Sequence, residues 1–88
     1  KLYFILSFVK GKNVKKLISH LPDKSLVFFT SSNMSRSMNQ IEIEESIGEN
    51  INFNKNPNRV YNNLLSQASP DDLIIITGSN YIAKEIFS

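Results

Sequence analysis

Solid apolar runs alternate along this chain with stretches in which apolar residues recur every three or four positions. Leu2 to Val9, LYFILSFV, is apolar almost throughout, as in a strand buried on both faces of a parallel sheet. Gly11 breaks the run. Asn13 is placed to cap a helix reaching about Leu21, with Val14, Leu17, Ile18 and Leu21 along one face. Pro22 and Asp23 stop that helix. Leu26 to Thr30, LVFFT, reads as a second buried strand. Ser31 to Ser37 has no apolar period and reads as a polar loop. Met38 to Ile47 carries two signals. Gln40 to Glu44 alternates like a strand, but the glutamates and the length favour a helix ending at Gly48. Ile51 to Phe53 predicts a short edge strand. Asn56 then caps a helix, Pro57 opens it, and it runs to about Ser69 with Val60, Tyr61, Leu64, Leu65 and Ala68 as its stripe. Pro70, Asp71 and Asp72 lead into a buried strand, Leu73 to Thr77, and a last helix over Asn80 to Phe87 follows at once.

Four strands alternating with four helices predict the α/β class. The expected architecture is a three-layer domain with a mainly parallel sheet of about four strands, right-handed crossovers and helices on both faces. Residues 1–88 form a single domain on this reading.

Composition narrows the function more by exclusion than by assertion. The net charge of +2 is too small to point to nucleic acid, and only Lys10, Lys12, Lys15 and Lys16 cluster. The absence of cysteine excludes disulfides, thiolate metal sites and a thiol nucleophile. His20 stands alone and cannot assemble a metal cluster; late in the first helix, it suits the negative end of the helix dipole. No apolar run approaches the roughly 18 residues of a membrane span, and no leader pattern is visible, so the cytoplasm is the expected location. The chain opens at Lys1 directly into an apolar strand, which suggests the cut end of a longer protein. The sheet would then lack a strand, leaving Leu2 to Val9 with an exposed edge and the domain marginally stable alone.

Strands that run in parallel end on one rim. The first strand brings Gly11 and Lys12 to that rim. The second brings Thr30, Ser31 and Ser32, followed by Arg36. The last brings Thr77, Gly78, Ser79 and Tyr81. Strand-to-helix junctions at carboxyl ends are where α/β sheets bind ligands. Cations, hydroxyls and backbone amides without a general base suit holding a carboxylate or phosphate, not acid-base or covalent catalysis. Each residue also has a structural role open to it. Ser79 can be a helix cap, Lys12 and Arg36 solvated charges, and Tyr81 a packing residue. Asp71 and Asp72 precede a strand, on the opposite rim, and read as turn residues. Gly11-Lys12 lacks the spacing of a nucleotide-binding P-loop.

The run SPDDLIIITGSNYIAKEIF resembles the end of the C-terminal domain of folylpolyglutamate synthase and dihydrofolate synthase, in the Mur ligase group. FVKGKNVKKLISHLP resembles that family's strand, Lys-centred turn and helix. LVFFTSSNMSRSM resembles its strand ending in Thr before a loop arginine, and NRVYNNLLSQASPDD the helix before its last strand. The resemblance covers nearly the whole chain. It implies a Rossmann-like C-terminal domain of an ATP-dependent ligase that adds L-glutamate to a folate or dihydropteroate through an acyl phosphate. ATP and Mg2+ would be bound mainly outside this chain, which alone would be inactive. The implied glutamate-side residues are Lys12, Arg36, Ser79 and Tyr81; no catalytic residue or metal ligand falls here. The implied partners are small-molecule substrates only, with no nucleic acid or membrane, and the state a monomer. The chain departs from the pattern in three places. It begins beyond the D-G-A-H-N-P segment, Gly11 and Asn13 replace the acids around Lys12, and Ser35 stands where a proline often precedes the arginine.

A stand-alone Rossmann-like module that binds an anion or a partner without catalysis is the competing reading. A receiver- or flavodoxin-like domain fits less well. Receivers need acids at the first strand end, where Gly11 and Lys12 stand.

Overall fold

A computed structural model describes residues 1–31, 37–77 and 86. The elements are β1 (Leu2–Leu6), α1 (Val14–Ser19), β2 (Leu26–Phe29), α2 (Gln40–Ile47), β3 (Asn52–Phe53), α3 (Pro57–Gln67) and β4 (Leu73–Thr77). All strand pairs are parallel, in the order β3-β2-β1-β4. The expected last helix, Asn80 to Phe87, lies outside the described residues except at Ile86, as does the centre of the polar loop after β2.

Alternation along the strands divides the core into two layers. Phe4 and Leu6 join Phe8, Val14, Phe29, Met38 and Ile43 on the face covered by α1 and α2. Tyr3 and Ile5 join Val60 and Leu64 on the face covered by α3. Both faces of β1 are therefore apolar because both are covered. The three layers predicted from alternation are present.

Two expectations are corrected. Leu2–Leu6 is not an exposed edge, since β4 docks on its other side, with Leu2 opposite Leu73 and Leu6 opposite Thr77. The crossover through α3 carries the chain back past β2 and fills the position expected to be empty. In turn β4, expected to be buried, is an edge strand among the described residues. It has a half-buried centre and Leu73 55% exposed. A run such as LIIIT reads the same in both places, because an edge strand still has two faces to pack.

The helix ends follow local chemistry. Asn13 accepts from the Lys16 N–H at 3.1 Å. α1 closes with hydrogen bonds from His20 to Leu17 and from Leu21 to Ile18, both 3.1 Å, so it tightens and stops short of Leu21. Asn39 begins α2 with a capping box. Its side chain accepts from Glu42 N–H at 2.9 Å, and the Glu42 carboxylate accepts from Asn39 N–H at 3.2 Å. That box resolves the helix-or-strand ambiguity of QIEIE. Asn56 caps α3 at Asn58 and Arg59, with Pro57 in its first turn. Leu17 and Leu65, on the predicted stripes, are exposed on the helix flanks instead.

Candidate functional site

The strand order locates the site. From β1 the chain winds outward through β2 to β3, then returns across the sheet to β4 on the far side of β1. The winding direction reverses between β1 and β4. In open α/β sheets, ligands bind at that reversal, outside the carboxyl ends of the strands. The end of β1 at Leu6 and the end of β4 at Thr77 flank it.

Lys12 lies on this rim and is exposed. It closes a turn, donating its N–H to Val9 O at 3.4 Å, with Gly11 at φ +93°. An L-residue rarely adopts that φ, and a Cβ at Gly11 would meet nothing within 4 Å. The glycine therefore serves the turn, not a close approach. Thr77 ends β4 beside Leu6 and is exposed, Thr30 follows β2 and is buried, and Ser31 is half-buried. Arg36, Ser79 and Tyr81 lie outside the described residues, with Ser32 and Gly78. The fold thus brings together the Lys12 turn and the ends of β2 and β4, as expected from parallel strands.

The charge of the two rims was not read from the sequence. In a parallel sheet, loops leaving strands lie at one rim and loops entering strands at the other. Lys10, Lys12 and Lys55 lie in loops leaving β1 and β3, and Arg59 in the first turn of α3, which holds no acid. Among the described residues the acid at this rim is Glu42, engaged in the α2 capping box. Asp23, Glu49, Asp71 and Asp72 lie in loops entering strands, at the opposite rim, where Lys1 and Lys24 also stand. Most of the acids in loops therefore fall at one rim and Lys10, Lys12 and Lys55 at the other, since each loop's rim depends on its neighbouring strand.

Ser7 was also missed. It is the one polar side chain inside LYFILSFV, which was the available signal. Ser7 and Thr30 are 0% exposed, and their hydroxyls have no hydrogen-bond partner among the described residues. A buried hydroxyl left unpaired costs about 1–3 kcal/mol.

At the opposite rim Asp72 is the turn residue expected. One oxygen lies 2.7 Å from the Lys1 amino group and the other accepts from Ser69 N–H at 2.9 Å. These two contacts, in that order, hold its carboxyl below the ordinary value. Elsewhere, a recess of about 190 Å³ opens between the β2–β3 edge and α3, with Phe28, Phe53 and Leu64 beside Asn52 and Asn63. Its carboxamides are neutral, so the basic rim is the better place for an anion.

No protein family, curated protein or solved structure matches the chain. The described residues contain no group of three His, Cys, Asp or Glu side chains that could hold a metal. No helix among them is long and apolar enough to cross a membrane. The arrangement suits holding an oxyanion by charge and hydrogen bonds.

Proposed function

We propose that this chain is the amino-acid-binding, C-terminal domain of an ATP-dependent ligase that joins L-glutamate to a folate or dihydropteroate. The observation that carries the proposal is the basic carboxyl rim at the β1–β4 reversal, where Lys12, the described residue of the ligase-like motifs, stands exposed. Lys12 would meet a glutamate carboxylate, and Arg36, Ser79 and Tyr81 would complete the glutamate side. The P-loop spacing is absent from this chain, so ATP and Mg2+ would be held mainly outside it. The chain's own part is to bind and orient the amino acid.

The test is glutamate incorporation by the full-length gene product that contains this chain, with ATP and either dihydropteroate or a reduced folate. Lys12→Ala should raise KM for glutamate by about tenfold or more, the effect of losing one charged hydrogen bond. A gene product with no upstream P-loop domain, or with no glutamate-dependent turnover, would sink the proposal. Gly11 and Asn13, standing where the ligase pattern has acids, favour a second reading. There the same rim belongs to a non-catalytic anion- or partner-binding module, and glutamate or phosphate binds without turnover.

A further inference from the structure

We infer that Ser7 and Thr30 form the floor of the oxyanion site, donating their hydroxyl protons to one carboxylate or phosphate group seated at the end of β1. The inference deepens the anion-binding reading above and rests on it.

The two residues are neighbours by register. Leu6 lies opposite Phe29 in the last pair of the parallel ladder, and Thr30 N–H donates to Leu6 O at 2.9 Å, so Ser7 and Thr30 are the next residues in register just past the ladder's end. They also share a face. Leu6, Phe8 and Phe29 pack on the α1–α2 side, so alternation turns Ser7 and Thr30 toward the α3 side. That places them beyond Ile5, toward the N-terminal end of α3, because α3 leads from the carboxyl end of β3 back to the start of β4.

Two adjacent buried hydroxyls without partners are uncommon, since buried polar side chains are nearly always hydrogen-bonded. A hydroxyl can donate or accept. The field of Lys10, Lys12, Lys55 and Arg59 selects an acceptor that carries negative charge. Burial strengthens such hydrogen bonds, because no water competes for the donors. The exposed cations then draw the anion to the rim, and the hydroxyls fix its position.

The experiment is thermal denaturation of the 88-residue chain at constant ionic strength, titrated separately with inorganic phosphate and L-glutamate, with sodium chloride as control. Either anion should raise the melting temperature beyond the chloride control, and the effective one identifies the oxyanion as phosphate or carboxylate. Ser7→Ala and Thr30→Val should each weaken the apparent affinity about tenfold or more, without lowering the ligand-free melting temperature. Thr30→Ser, which keeps the hydroxyl, should retain binding. Should Ser7→Ala fail to fold, the contrast between Thr30→Ser and Thr30→Val decides. Unchanged affinity in Ser7→Ala and Thr30→Val, with loss in Lys12→Ala, overturns this inference and leaves the rim reading intact. Equal losses in Thr30→Ser and Thr30→Val also overturn it, since shape alone would then matter. No shift beyond chloride with either anion overturns both.

Discussion

Asp72 closes the turn before β4 with both carboxylate oxygens, one toward the Lys1 amino group and one on Ser69 N–H. Its folded-state pKa lies below the ordinary 3.8. A depressed carboxyl pKa adds stability that is present above the unfolded value and lost as pH falls through the folded one. In the 88-residue chain, where Lys1 carries a free α-amino group, the melting temperature should therefore fall below about pH 4, and Asp72→Asn should remove part of that slope. An unchanged slope in Asp72→Asn would assign the acid sensitivity to other carboxylates. Gly48 ends α2 at φ +109° and ψ 172°, a backbone region essentially confined to glycine. Gly48→Ala should cost about 1–3 kcal/mol in denaturant unfolding. Nothing lies within 4 Å of the added Cβ, so the whole cost would be backbone strain. Lys12 is exposed, so Lys12→Ala should leave stability within about 0.5 kcal/mol while weakening anion binding.

At the scale of elements, caps were the most legible signals. Asn13, Asn56 and Pro57 begin helices where the sequence reading placed them, because a cap needs only its own next turn. α2 was ambiguous because Ile41 and Ile43 satisfy a two-residue period as well as a helical one. Ile43 is fully buried and Ile41 is 66% exposed, as on opposite sides of a helix. Replacing Asn39 by Ala should cost about 0.5–2 kcal/mol. Ile43→Ala should cost about 2–5 kcal/mol, since Ile43 belongs to the cluster between α2 and the sheet. Equal losses in the two variants would mean that α2 is held by its cap and not by packing.

For the whole molecule, the parallel order β3-β2-β1-β4 decides both the site and the liabilities. The outer side of β4 has no strand neighbour among the described residues, and Leu73 is 55% exposed there. An apolar strand edge without charge invites pairing between copies. Leu73→Lys should therefore reduce concentration-dependent light scattering with little change in melting temperature. By itself, the sequence determined the α/β class, the parallel sheet, the capped helix starts and a polar rim containing Lys12, Thr30 and Thr77. Each of these depends on periodicity, capping or strand direction, which are properties of neighbouring residues. Only the tertiary structure decided that β1 is central and β4 an edge, since neither position leaves a mark within an apolar run. It also decided that Lys10, Lys12 and Lys55 share one rim and that Ser7 and Thr30 follow paired strand ends. Those residues lie far apart in the chain and meet only through strand order and register.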